Sequence, residues 1–274
     1  MSLQKEKQYF EKSFKSREYL KNYYADLDVG LIERYVRQKN PESETARVMI
    51  FLAEEAVPAV RSFFGKKRKN LLELGGGPTL YQLFSLAEVV DEIHFTDYVE
   101  DNLEEIRKWL RGERNAFNWK PYAKAALMLK NDRTTVRLSE IQKLENLLVK
   151  KITKVGYCDI FQKDLGVEQR QYNVINTHFV AESATSSKAA WRSAIRNISN
   201  KLSRPGLLIM SALLRAKGSY KVLGRRFPAV ELYEEDVRRE LTKNGFKEVR
   251  IASMKTEDFS NNYRGFMFVI GEKQ

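Results

Sequence analysis

Residues 70–82, NLLELGGGPTLYQ, bring three glycines, Gly75, Gly76 and Gly77, to the end of a short apolar run, just ahead of Pro78-Thr79. Adjacent glycines let main chain approach a ligand closely. Backbone N–H groups at the start of a following helix can receive a carboxylate. The run GGGPT does not fit the dinucleotide pattern G-x-G-x-x-G. It is also no Walker A loop, because no Gly-Lys-Ser/Thr follows. About twenty residues on, EIHFTDY (92–98) carries Asp97. An acid at that spacing is placed to bind both ribose hydroxyls of an adenosine-containing cofactor. Alone it would be a turn or cap residue; the glycine turn gives it the functional reading. Asp159, in VGYCDIF, could accept a hydrogen bond from an adenine amino group, a weak signal by itself. In the segment THFVAESAT (177–185), His178 and Glu182 are candidates for a base or substrate orienter. Their structural alternatives are a satisfied strand-end histidine, and an acid favoured near a helix N-terminus before Ser186–Ser187. Two histidines and one cysteine, Cys158, cannot make a Cys/His zinc cluster, so no metal site is expected.

These groups need elements to hold them. NLLEL reads as a buried strand, the glycines as a tight turn, and the residues after Pro78-Thr79 as a helix start. EIHFTDY is a second strand and VEDNLEEIRKWLRG an amphipathic helix stopped at Gly112. Residues 113–153 look less regular, with a helix over Leu138–Lys151. VGYCDIF is a third strand, QYNVINTHFV (171–180) a fourth, and SSKAAWRSAIRNISNKL a helix whose serines offer caps. Pro205-Gly206 turns into LLIMSAL, a fifth strand. YEEDVRRELTKNGF is a helix ended by Asn244-Gly245. KEVRIAS and RGFMFVIGE close the chain as an antiparallel hairpin. Before all this, residues 3–24 read as one helix. A second helix should begin near Asn40-Pro41, with Asn as N-cap and Pro in the first turn; Pro58 inside it is a kink point. Strands alternating with helices give an α/β fold: a mostly parallel sheet covered on both faces.

The totals fit that reading. The chain has 274 residues, of which 43% are hydrophobic and 11% aromatic, enough for a substantial core. No apolar run reaches the length of a membrane span, and the charged, aromatic N-terminus has no apolar h-region of a secretory signal. A lone thiol makes no internal disulfide and fits a reducing cytoplasm. The net charge is +12, which raises nucleic acid as a partner. Lys and Arg are spread along the chain, with short clusters only at GKKRK (65–69) and LGRRF (223–227), so the excess reads as a basic solvated surface.

The segment from LLELGGGPTLYQ through TDYVEDNL to FNWKPY resembles the nicotinamide, phenylethanolamine and thioether methyltransferase family. The carrying pattern is G-x-G-P-T-x-Y-Q followed by T-D-Y-x-x-x-N-L, and REYLKNYY (17–24) resembles the family's Tyr-Leu-x-x-Tyr-Tyr segment. The likeness continues through CDIF, INTHF and the Pro-Gly strand, and weakens over 120–155 and after 212. It implies a class I S-adenosylmethionine-dependent methyltransferase of Rossmann-like fold. The expected form is a seven-stranded, mostly parallel sheet with a C-terminal antiparallel hairpin, one domain with a helical cap over 1–65 and a catalytic core over 66–274.

The resemblance also implies roles. Tyr19 and Tyr24 would close over the methionine part of S-adenosyl-L-methionine. Gly75, Thr79 and Tyr81 would hold its carboxylate end and sulfonium neighbourhood, with Gly76 and Gly77 completing the turn. Asp97, Tyr98 and Asn102 would serve the ribose and amino-acid part, and Asp159 and Ile160 would flank adenine. Thr177 would lie near the reacting centre. Tyr19, His178, Glu182, Ser211 and Tyr220 would face the substrate, with Glu182, His178 and Tyr19 as catalytic candidates. Without the resemblance, Tyr19, Tyr24 and Tyr81 read as core packing. The acid expected on the strand-four loop is displaced by one position to Glu182, and Ser211 stands where an acid is often found after strand five. Those departures fit a neutral or anionic acceptor better than a simple cationic amine or nicotinamide. The expected activity is methyl transfer to a small molecule, at nitrogen. The alternatives are an RNA methyltransferase on the same fold and a non-catalytic cofactor-binding protein.

Overall fold

A computed structural model of the chain describes all residues except 1, 26, 28, 39–43, 169 and 257–259. The central sheet comprises β1 (Asn70–Leu74), β2 (Glu92–Asp97), β3 (Ile152–Tyr157), β4 (Tyr172–His178), β5 (Leu202–Leu214), β8 (Phe246–Lys255) and β9 (Gly265–Lys273). Their order is β3-β2-β1-β4-β5-β9-β8. The first five run parallel, while β9 is antiparallel to both β5 and β8. The expected seven strands and closing hairpin are therefore present. Strand order reverses direction between β1 and β4, and the crevice beyond their carboxyl ends is where open α/β sheets bind ligands.

Side chains alternate across the pleat, so each strand feeds two cores. Leu71, Val174, Leu207 and Ile209 face a layer containing α4 (Glu44–Phe51), α5 (Val57–Phe64), α6 (Glu100–Leu110), α7 (Lys120–Asn131) and α8 (Leu138–Lys151). Leu72, Leu74, Ile175, Leu208 and Met210 face α9 (Lys188–Lys201) and α10 (Glu234–Lys243). The same alternation puts Glu73, Asn176 and Ser211, the polar residues of three adjacent strands, on the first face.

Several expected elements take another form. Residues 3–24 are two helices, α1 (Leu3–Ser13) and α2 (Ser16–Tyr23), because Phe14 and Lys15 are extended. α3 (Val29–Gln38) follows. The proposed cap at Asn40-Pro41 lies outside the described residues. Between α4 and α5 a π-helical turn, Leu52–Ala56, stands immediately ahead of Pro58. Proline has no N–H to continue an i→i−4 ladder, and the wider turn is how the chain accommodates it. Residues 113–153, expected to be less regular, contain the expected helix Leu138–Lys151 and also α7. Its apolar residues face buried surroundings on several sides, Tyr122, Ala123, Ala125, Ala126 and Met128 among them, so no amphipathic period marks it. β3 ends at Tyr157, which leaves Cys158–Phe161 as the loop beyond it. A small hairpin, β6 (Ser219–Val222) with β7 (Arg225–Pro228), was not foreseen in the basic segment.

The helix expected after the glycine turn is absent: residues 81–89 form a run of turns. Thr79 Oγ1 donates to the Gly76 carbonyl, and Gln82 Nε2 lies within bonding distance of the Gly76 and Thr79 carbonyls. Side chains that occupy backbone acceptors in this way compete with the helical ladder.

Candidate cofactor and substrate site

One cavity opens over the β1–β4 crevice, floored by the strand ends and roofed by α1, α2 and the β6–β7 hairpin. Of the residues singled out from sequence, Tyr19, Tyr24, Gly75, Gly76, Gly77, Thr79, Tyr81, Asp97, Tyr98, Asn102, Asp159, Ile160, His178 and Tyr220 line it. Thr177, Glu182 and Ser211 do not. Thr177 follows the pleat to the opposite face of β4, where its hydroxyl is buried without a partner among the described residues. Glu182 turns its Oε1 to the Leu213 N–H (3.0 Å) and receives Ser183 Oγ at 3.2 Å. Ser211 lies beneath the floor and is bonded to His178.

The three glycines line the cavity. Their N–H groups are engaged inside the protein: Gly75 and Gly76 donate to the Thr96 carbonyl, and Gly77 donates to Asp97 Oδ2 at 2.8 Å. Gly75 has φ +68° and a Cβ there would stand 2.6 Å from Val180. A Cβ on Gly76 would meet the Phe95 ring at 2.4 Å. Gly77, at φ +62°, has open space around it. The turn is thus required by backbone conformation and packing, and it sets the distance between the strand end and Asp97.

Asp97 is buried, and burial raises its pKa against the lowering effect of its hydrogen bonds. Oδ1 accepts from the Val99 N–H and from Asn102 Nδ2, both at 2.8 Å. Oδ2 accepts from the Gly77 N–H, and Asp97 lines the cavity. At the other end of the crevice Asp159 is paired with Lys7 of α1, and its Oδ1 accepts from the Phe161 N–H. Lys7 also stands over the Tyr98 ring, 5.3 Å from its centroid.

Tyr19, Tyr24 and Tyr81 converge under the roof. The Tyr19 and Tyr24 hydroxyls are 3.3 Å apart, and Tyr24 stacks on Tyr81 at 5.5 Å. Burial raises the pKa of Tyr24 and Tyr81, so both stay neutral phenols. Beyond them Phe10, Phe14, Phe179, Val180, Tyr220 and Val222 make an apolar chamber with Ser183 in its wall. Phe227 on β7 contacts Phe10 and Phe14 edge-on, which closes the hairpin against α1.

A polar network runs through the floor and reaches the cavity at Glu73, Gln82 and His178. Glu73 receives Gln82 Nε2 (3.0 Å) and Asn176 Nδ2 (2.7 Å). The Asn176 amide then presents Oδ1 to His178 Nε2 at 3.0 Å, so that nitrogen carries the proton. His178 Nδ1 accepts from the Ser211 hydroxyl at 2.7 Å. Both ring nitrogens are occupied, and burial pushes the imidazole down to about 3. His178 is a neutral imidazole in this geometry. Glu73 is pushed up to about 8 by burial, which outweighs its two hydrogen bonds. Glu182 is likewise pushed up to about 7 by burial.

Sequence reading missed Glu73, Lys7, Phe10 and Phe14. The signals were present: an acid inside the apolar run LLELG, and α1 positions spaced i, i+3, i+7 on one helix face.

The family model for the NNMT/PNMT/TEMT family matches residues 2–274. The chain is 29% identical to indolethylamine N-methyltransferase of Mus musculus, over 96% of this chain and 94% of that one. It is 30% identical to nicotinamide N-methyltransferase of Sus scrofa, over 76% of this chain and 78% of the other. Among solved structures, a SAM-dependent methyltransferase of Methanosarcina mazei superposes with a TM-score of 0.50 at 11% identity, covering 78% of this chain and 96% of its own, a likeness of fold. The match runs through every element that walls the cavity, and the protein accordingly belongs to the NNMT/PNMT/TEMT family and is an S-adenosyl-L-methionine-dependent methyltransferase.

Proposed function

We propose that the protein transfers a methyl group to a nitrogen of a small molecule held in the aromatic chamber between α1, β6 and the loop after β4. The observation that carries this reading is the continuity of one cavity from Asp159 and Asp97 to that chamber, with Tyr19, Tyr24 and Tyr81 between them. When bound, S-adenosylmethionine supplies a methyl carbon that is already electrophilic. The residues fit it. Asp97 would meet the ribose, and Asp159 and Ile160 would border the adenine end. The tyrosine hydroxyls face the amino-acid end without a competing negative charge, because burial keeps them protonated.

The work left to the chain is orientation and exclusion of water. Holding two reactants in line can lower a barrier by roughly 7–11 kcal/mol. α1 and α2, the part of the 1–65 cap that reaches the cavity, would act as the lid over the 66–274 core, and Tyr19 would serve both halves of the site. Tyr220 and Ser183 would touch the acceptor, and Glu182 would act on it through Ser183. His178 and Ser211 would stiffen the floor. The acids lining the cavity are Glu73, Asp97 and Asp159, and burial favours the protonated form of Glu73, which supports an acceptor that is neutral when it reacts. The roof over the cavity favours a small molecule above RNA. Among the described residues no helix is long and apolar enough to cross a membrane, and the buried lone thiol of Cys158 fits the cytoplasm we propose.

The test is incubation with S-adenosylmethionine and, in turn, indolethylamine, nicotinamide and phenylethanolamine, read by mass spectrometry for S-adenosylhomocysteine and a product heavier by one methyl. A methylated nitrogen product supports the reading. Cofactor binding without turnover on these or on a cell extract would leave a binding protein instead.

A further inference from the structure

The lid reaches Asp97 through Asn102, by a hydrogen bond that the family resemblance did not point to. Ser16, the first residue of α2, is buried and its hydroxyl donates to Asn102 Oδ1 at 2.6 Å. The same amide donates from Nδ2 to Asp97 Oδ1 at 2.8 Å. That oxygen is completed by the Val99 N–H, Oδ2 accepts from the Gly77 N–H, and Asp97 lines the cavity.

We propose that Ser16 is a positioning residue for the cofactor, holding Asp97 in its ribose-binding orientation through Asn102. An asparagine amide can be set two ways round. With its oxygen occupied by the Ser16 hydroxyl, the NH2 group must face the carboxylate. Without that donor, the buried carbonyl oxygen loses its partner, and a flipped amide would set oxygen against oxygen beside Asp97. Arg17, the next residue, pairs with Glu105 one turn further along α6, at 2.5 Å. The lid is therefore docked on α6 at two adjacent residues, and only the first leads into the cavity. Closing α2 and aligning Asp97 become one event, so a ligand that grips Asp97 favours the closed lid and a closed lid favours the ligand.

The inference rests on the reading of Asp97 as the ribose ligand, and the experiment separates the two. Isothermal titration compares S-adenosylhomocysteine with its 2′,3′-dideoxyribose analogue, for the wild type, Ser16→Ala and Ser16→Thr. The wild type should prefer the diol-bearing ligand. Ser16→Ala should weaken S-adenosylhomocysteine about tenfold, the scale of leaving one buried amide oxygen without its hydrogen bond, and weaken the dideoxy analogue much less. Ser16→Thr, which keeps a hydroxyl, should recover most of the loss. An equal loss for both ligands in Ser16→Ala would make Ser16 a plain lid contact and overturn the proposal, as would no loss. If the wild type does not distinguish the ligands, the ribose reading of Asp97 falls and the Ser16 role falls with it. Arg17→Ala is the control for simple lid loosening and should shift both ligands alike.

Discussion

Glu73 is a buried acid in the cavity floor, and it makes the protein sensitive to pH. Its pKa is raised from the ordinary 4.5 to about 8, and that of Glu182 to about 7, in both cases mainly by burial. A group whose folded pKa lies above its unfolded value gives stability that is full below the unfolded pKa. That stability is lost as pH rises through the folded value. The free energy of unfolding should therefore fall between about pH 4.5 and 8, by on the order of a few kcal/mol. Urea titrations at pH 5.5 and 8 measure it, and Glu73→Gln should shrink the difference. The same group should respond to a ligand ammonium, which favours its ionised form. Binding of S-adenosylhomocysteine at pH 7 should release a proton fraction, visible as a buffer-dependent enthalpy that Glu73→Gln abolishes. At Gly75 the constraint is steric. Gly75→Ala puts a side chain at φ +68° and against Val180, and should cost about 1–3 kcal/mol. Val180→Ala should restore part of it in the double variant, since the contact is relieved and the backbone strain remains.

At the scale of the element, α1 is held by two neighbouring charges that reach different loops. Glu6 is buried and accepts from Thr185 Oγ1 (2.8 Å), Ser186 Oγ (2.5 Å) and the Ser186 N–H (3.1 Å). Lys7 pairs with Asp159. The helix thereby straps the loop before α9 to the loop after β3, and its face of Phe10 and Phe14 is set over the cavity. Glu6→Ala leaves buried donors unpaired and should destabilise by about 1–3 kcal/mol. The extended bend at Phe14–Lys15 should then be cut faster by trypsin, and added S-adenosylhomocysteine should slow the cutting. Unchanged cleavage with a lowered melting point would mean that Glu6 secures the loop and not the helix. The reading of 3–24 as a single helix could not anticipate this strap. The apolar positions continue through the bend, and nothing local shows that Phe14 turns inward against Phe227.

For the molecule as a whole, ligand binding and folding are linked. Most of the cavity wall comes from strand ends and loops that meet only in the folded sheet, so the cofactor should bind the native state alone. At a free concentration of about one hundred times Kd it should add roughly 2.7 kcal/mol, seen as a rise in Tm with S-adenosylhomocysteine. Asp97→Ala should remove most of that rise, because it deletes a carboxylate that lines the cavity. A full rise in Asp97→Ala would show that the carboxylate does not hold the ligand.

Local chemistry wrote part of this outcome into the chain. The glycine turn, Asp97 at its distance, Asn102 on the helix after it and the alternation of strands with helices are short-range patterns. Steric and hydrogen-bonding rules acting over a few residues give them the same meaning wherever they occur, so fold class and an adenosine-type cofactor were readable from residue order, and the family resemblance those residues carry implied S-adenosylmethionine. The tertiary structure decided which groups face which cavity. Strand pleat and register send Glu73, Asn176 and His178 to one face and Thr177 to the other, and loop conformation turns Glu182 toward Leu213. The contact of Ser16 with Asn102 spans 86 positions, and Lys7 meets Asp159 across 152. Such pairs are set by how packed layers meet, a balance of many weak contacts across the whole molecule, and no window of sequence contains it.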